Sequence, residues 1–387
     1  MSGPLKGVTV LELAGIGPGP FAGMMLADMG ADVIRVDRIP PAAGGSPLEA
    51  LMRNDSVVDR GRRSVALNMK DPRAVEVVHQ LAMRVDILIE GFRPGVTEKL
   101  GIGPKDLMAL NPRLVYGRMT GWGQDGPLAQ AAGHDLNYIA LSGAVQAMGP
   151  ADRVPTVPLN LVGDYGAGGM LLALGVVAAL YEARHSGRGQ VVDAAIADGA
   201  AVLMAAQYGL KAKGFWHDER ESNFLDGSAH FYGNYLCADG RYLSVGAIEP
   251  QFYRLLLDKC GVTDPQFAQQ WERAAWPELK AKLSAVFLRK SRDEWCDLLE
   301  GSDACVAPVL SMSEAPAHAH NQARGVFVAP DGVVQPAPAP RFDRTPSALP
   351  PAAPEIGADS TDILRSLGRS DAEIAALVAS GVVHGPH

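Results

Sequence analysis

Cysteine is scarce. The chain of 387 residues holds four, Cys237, Cys260, Cys296 and Cys305, and no two of them stand in a CxxC spacing. That excludes a disulfide framework or a Cys-rich zinc module as the organising device, and it points to free thiols in a reducing cytoplasmic setting. The opening MSGPLKGVTV has no secretory-signal pattern. Long apolar runs are also missing. The most apolar stretch, residues 170–181, is about 12 residues long, short of the roughly 20 that span a bilayer. Basic runs are absent, with 35 Lys and Arg against 43 Asp and Glu. No nucleic-acid or membrane partner is therefore expected. There is no Ser nucleophile elbow, no Walker loop and no zinc spacing. The HxH formed by His318 and His320 lacks a third ligand nearby in sequence, so no metal is expected.

What the chain does have is glycine, 43 residues, and proline, 28, which together imply many loops and close backbone approaches. Residues 8–14 (VTVLELA) read as a buried strand. GIGPGP, an apolar helix closed by Gly30, and ADVIRVDR complete a strand–helix–strand unit, hence a parallel pair with a crossover. The glycines resemble a dinucleotide fingerprint, but two prolines remove N–H donors that a pyrophosphate needs. A layer holding some other adenosine ligand in the same crevice fits better. Residues 39–59 form a loop-rich connection before the strand in GRRSVALNMK. Asp71 and Pro72 open an amphipathic helix. DILIEGF and LVYGRMTGW add two strands.

The apolar helix that follows Asp164 reads as buried all round, followed by a strand at 190–196 and a helix at 197–210. Residues 215–228 are a polar linker. A hairpin turning at Ala238-Asp239-Gly240 and three helices then make a second, smaller α+β unit. Residues 335–354 are Pro- and Ala-rich and extended. The fold class is α/β: a Rossmann-like open parallel sheet in a large domain (1–195), then a linker and helix (196–227), a small α+β domain (228–322), and a segment returning to the large domain (323–387).

Two ionisable residues stand in unusual settings. His134 lies between Gly133 and Asp135 after a run of turn residues. Asp164 precedes a Gly-rich helix start, where unpaired N–H groups suit a developing oxyanion. Histidine gives or takes a proton with little adjustment near neutral pH. From position alone the plainer readings come first, Asp164 as an N-cap and His134 as a structural loop residue. Residues and spacing reach an α/β enzyme with acid/base chemistry and stop there.

The stretches VLELAGIGPGPFAGMMLADMGADVIRVDR, RGRRSVALNMK, LIEGFRPGVTEKLG, RMTGWGQDGPLAQAAGHDLNYIALSG, NLVGDYGAGGM, GRGQVVDAAIADG, YLSVGAIEPQFY and RFDRTP resemble the class III CoA-transferase family nearly end to end. Within it the GHD at His134 and the GAIE at Glu249 resemble the racemase branch. The resemblance implies interconversion of (R)- and (S)-2-methylacyl-CoA thioesters by proton transfer through an enolate. His134 and Asp164 are then the two acid/base groups, Glu249 orients His134, and the Asp164 backbone N–H holds the thioester oxygen. The alternative within the family is a CoA-transferase using Asp164 as nucleophile through an aspartyl anhydride. By the same resemblance Arg38, Arg93 and Lys99 contact the CoA phosphates, Ile16 lies against adenosine and Tyr138 near the pantetheine arm. Met119 and Met204 belong to an adaptable acyl-binding surface. It implies no cofactor beyond the acyl-CoA substrate itself, and an interlocked homodimer in which Glu249 comes from either subunit. The loop at 39–59 is longer than the family's usual length, and GADSTD replaces a His-containing run near the end.

Overall fold

The structure, a computed structural model, describes residues 2–40 and 57–385. The chain divides into two compact units, one of Met1–Ser142, Leu159–Leu203 and Gln335–His387, the other of Gly143–Pro158 and Met204–Val334.

The first unit is built on a mixed sheet that is parallel but for one edge strand. Its parallel strands are β1 (Thr9–Leu13), β2 (Asp32–Arg38), β3 (Arg62–Leu67), β4 (Ile87–Glu90), β5 (Val115–Thr120) and β6 (Val191–Ala195). They lie in the order β3-β2-β1-β4-β5-β6. β1 pairs with both β2 and β4, so the winding reverses there. Ligands of open α/β sheets bind in the crevice at the carboxyl ends of strands at such a reversal. The central strands β1 and β4 are largely apolar and buried on both faces, as central parallel strands must be, whereas the edge strand β6 is partly exposed. Asp71 caps the helix Pro72–Ala82 as its sequence indicates, accepting the Arg73 N–H at 2.9 Å.

Three features depart from the sequence reading. The last short strand, Val383–His384, pairs antiparallel with β3 and covers an edge that would otherwise be open. The apolar helix is 26 residues long, Leu161–Ser186, and is long and apolar enough to cross a membrane. It packs on β5, on β6 and on the helix Pro18–Asp28, but it is not buried all round as its composition predicts, because Met170, Leu174 and Tyr181 are exposed. The single helix expected at 197–210 is two, Ile196–Leu203 and Ala205–Ala212. Most of the long connection at 39–59 lies outside the described residues.

The second unit carries β7 (Tyr232–Leu236) and β8 (Tyr242–Gly246) as the expected antiparallel hairpin. A third strand, β9 (Val306–Val309), joins it and is not evident from the sequence. Its core gathers Phe231, Tyr235, Phe287 and Trp295. His318, half of the HxH, pairs with Glu300 at 2.9 Å.

His230 is buried in this core. The Tyr253 hydroxyl donates to the Phe267 carbonyl at 3.0 Å. The 2.7 Å contact between His230 Nε2 and Tyr253 Oη must then be donated by the imidazole. Burial holds the ring neutral, its pKa pushed down from 6.5 to about 4. A group that charges more readily when unfolded withdraws stability as the pH drops. Stability is therefore expected to be full above the unfolded value and to fall between pH 6.5 and about 4, by at most about 1.4 kcal/mol per pH unit. Urea unfolding at pH 7 and pH 5, followed by tryptophan fluorescence, checks this. His230→Phe should flatten the dependence, and an equally steep one in that variant would locate its origin elsewhere.

Candidate active site

The carboxyl ends of the central strands hold two cavities. The larger, ≈ 680 Å³, is lined by Ala14 after β1, Asp37 and Arg38 at the end of β2, Lys70 after β3 and Phe92 after β4. The smaller, ≈ 210 Å³, is lined by Phe92 and Arg93, by Gly121 and Trp122 after β5, and by His134 and Tyr138. Phe92 lines both. The sheet's order thus brings together side chains from distant parts of the sequence. Arg38 is exposed, with its guanidinium 5.9 Å from the Phe92 ring centroid. Arg93 and Lys99 are exposed as well, and Ile16, in the loop after β1, is 58% exposed. Among the described residues none of the three cations makes an ion pair, so their charge is free to meet an anion.

His134 has extended backbone and immediately precedes the helix Asp135–Ala140. Its N–H donates to Asn137 Oδ1 at 3.0 Å. The Tyr138 hydroxyl donates to the carbonyl of Gly133, and the Tyr138 ring meets Trp122 edge to face, with centroids 4.7 Å apart. The backbone on both sides of His134 is therefore held while the residue itself stays exposed.

Asp164 does not precede its helix. The helix begins at Leu161, with Asn160 as N-cap, and its first ten residues, Leu161–Met170, are wound as a π-helix. Such wide turns are uncommon and recur at functional sites. The carboxylate therefore sits inside the first turns rather than at the cap. Its own N–H donates to Asp135 Oδ2 at 2.5 Å. That N–H is already engaged, which corrects the expectation that it is free for a thioester oxygen. Gly163 makes the approach possible, since a Cβ there would lie 2.2 Å from the same oxygen. Gly17, with φ +70, brings the start of the helix Pro18–Asp28 against Asp164, where a Cβ would be 3.2 Å from Oδ2.

Burial pushes the Asp164 pKa up, and the like charge of Asp135 pushes it further. A hydrogen bond from Asn160 and the nearby His134 act in the opposite direction. His134 and Asp164, more than two dozen residues apart in sequence, are thus within electrostatic reach of one another. Asp135, which the sequence reading did not single out, is buried, and its second carboxylate oxygen has no partner among the described residues. The available signal was its place as the first residue of a helix directly after the histidine.

The acyl-surface assignment fares differently at its two positions. Met119 lies in β5 and is 2% exposed, part of the core rather than of an open surface. Met204 belongs to the second unit, as does Glu249. Glu249 is exposed, stands at the N-cap of the helix Pro250–Lys259, and makes no ion pair among the described residues.

The model of CoA-transferase family III matches residues 5–360. The chain is 44% identical over 383 residues to an alpha-methylacyl-CoA racemase of Mus musculus, covering 98% of this chain and 97% of that protein. It is 30% identical over 409 residues to a succinyl-CoA:glutarate CoA-transferase of the same organism, covering 98% and 90%. A crystal structure of a CAIB/BAIF family protein from Brucella suis superposes with a TM-score of 0.80 at 26% identity, covering 95% of this chain and 100% of that one.

The electrostatics of the carboxylate pair can be tested without any substrate. Asp135→Asn keeps an oxygen that can accept the Asp164 N–H but removes the like charge. The titration midpoint of Asp164, followed by carboxyl ¹³C NMR, should lie above the ordinary carboxylate range in the parent and move down in the variant. An unchanged midpoint would assign the shift to burial alone.

Proposed function

The chain belongs to CoA-transferase family III, and from that premise we propose that it is an α-methylacyl-CoA racemase, interconverting (R)- and (S)-2-methylacyl-CoA. The α-hydrogen of a thioester is weakly acidic because the carbonyl accepts the electron pair left behind. A base on one face removes it, an enolate forms, and an acid on the opposite face returns a proton. Inversion needs two groups of matched and opposite protonation state. His134 takes the α-proton of the S epimer while protonated Asp164 delivers one to the other face; the reverse direction exchanges the roles. A carboxyl serves as acid near neutral pH only when its pKa is raised.

The observation that carries the reading is Asp164, pushed up by burial and by Asp135 and within electrostatic reach of His134. Likeness to the racemase is also considerably greater than to the transferase. A transferase would need Asp164 ionised as a nucleophile, which burial opposes, and would leave His134 without a task.

Arg38, Arg93 and Lys99 bind the phosphates of CoA, Ile16 its adenosine, and Tyr138 the pantetheine arm; Met204 borders the acyl chain. The chemistry moves only protons, so no metal or redox group is required. The protein acts as an interlocked homodimer. Supporting this, Met170, Leu174 and Tyr181 on the long helix, with Val202 and Leu203 on the helix packed against its start, are exposed apolar side chains, the kind of surface a partner covers. Glu249, exposed and without an ion-pair partner among the described residues, orients the imidazole of His134 from one of the two subunits.

Incubation of the enzyme with (S)-2-methylacyl-CoA in deuterated water, with no acceptor acid, should yield the R epimer carrying α-deuterium. His134→Ala and Asp164→Ala should each reduce the rate by about 10²-fold or more, the scale of one acid/base group. Transfer of CoA to an added free acid, without α-exchange, would establish the transferase instead. In the R-to-S direction Asp164 must be ionised to act as base. The kcat/KM should therefore fall as the pH drops through its raised pKa, and Asp135→Asn should move that acid limb to lower pH.

A further inference from the structure

Arg118, near the end of β5, lines neither cavity, yet its guanidinium joins three segments that together shape both. Its Nε donates to Glu90 Oε1 at the end of β4 at 2.9 Å. Its Nη1 donates to Glu98 Oε1 at 2.8 Å, and its Nη2 to Thr97 Oγ1 at 3.4 Å. The other oxygen of Glu90 accepts the backbone N–H of Phe92 at 2.7 Å. Glu90, Thr97 and Arg118 are all buried, whereas Glu98 is partly exposed. Burial pushes the Glu90 carboxyl up, and the Phe92 N–H and Arg118 oppose that shift. The cation is fully matched by two carboxylates, so it has no charge to spare for a ligand.

The segment so held runs from Gly91 to Lys99. It supplies Phe92, which lines both cavities, Arg93, which lines the smaller one, and Lys99, the residue after Glu98. We infer that Arg118 is a positioning residue for acyl-CoA binding: its planar fork sets the Phe92–Lys99 loop against the ends of β4 and β5. This rests on the reading of the site as a CoA-thioester site. The geometry requires a guanidinium, because a lysine ammonium is a single point on a flexible stem and does not reach two carboxylates and a hydroxyl in one plane. Removing the cation leaves the buried Glu90 carboxylate, which holds the Phe92 N–H, without its charge partner, and frees the Glu98 end of the loop. The proton-transfer groups lie outside this network. The cost should therefore fall on KM and on CoA affinity rather than on kcat.

The test compares Arg118→Lys, Arg118→Met and Glu98→Gln with the parent dimer. CoA itself is the probe in calorimetric titration, and the α-deuterium exchange assay separates KM from kcat. Arg118→Lys, despite keeping its charge, should weaken CoA binding and raise KM roughly tenfold, the scale of one charge-assisted hydrogen bond. Arg118→Met should do at least as much, and kcat should stay within about twofold. Glu98→Gln leaves the Arg118–Glu90 pair in place and guards against a folding failure of the other two. It should raise KM about threefold at an unchanged melting temperature. Parental CoA affinity in both Arg118→Lys and Glu98→Gln, or a fall in kcat with KM unchanged, would overturn the inference while leaving the racemase reading intact. Failure of the parent to bind CoA would overturn both.

Discussion

Two carboxyl groups that both prefer water are held together at the start of the long helix, with Asp135 accepting the backbone N–H of Asp164. Like charges in a half-dry site do not both ionise readily, and the arrangement raises the proton affinity of Asp164. The surrounding backbone serves this contact. A π-wound first stretch places Asp164 inside the helix, Gly163 leaves room for the Asp135 oxygen, and the short helix that begins with Asp135 has His134 directly before it. A substitution that parts the two carboxyls therefore disturbs the settings of both Asp164 and His134.

The site's location follows from the sheet. Parallel strands deliver their carboxyl ends to one edge, and the reversal of winding at β1 and β4 opens a crevice there. Among the described residues, cations without an ion pair gather around that crevice while buried cations elsewhere are matched. Arg60 lies within hydrogen-bonding distance of both oxygens of Asp28, and Arg62 pairs with Glu12 at 3.0 Å. Removing one partner of such buried pairs is costly. Arg38, Arg93 and Lys99 make no ion pair among the described residues, which is why we propose them for the phosphates of CoA. Arg118 stands between the two classes: it is matched and buried like a structural cation, but what it holds in place is the loop whose Phe92 lines both cavities.

Much of this was legible in the chain itself. The alternation of short β-branched runs with helical periods marks a parallel α/β sheet, and Asp71-Pro72 marks a helix start because side-chain capping is a local interaction. The GHD and NLVGDYGAGGM motifs single out His134 and Asp164. Asp135 does not stand out in the sequence because an acid beside a histidine at a helix start has an ordinary reading, and its partner lies 29 residues away. The strands β9 and Val383–His384 are not evident in the sequence for a similar reason. Short segments with little period become strands only where an edge is waiting for them.

Local chemistry is written in the sequence: turns, caps, helix and strand periods, and the residue types able to move a proton or meet a phosphate. Those depend on neighbours a few positions apart. The tertiary structure alone decided that Asp135 faces Asp164, that the Asp164 N–H is already engaged, that Met119 is core, and that Arg118 ties β4 and β5 to the Phe92–Lys99 loop. Each is a contact across long sequence separation in a partly or fully buried place, where the energy depends on distance and desolvation rather than on residue type.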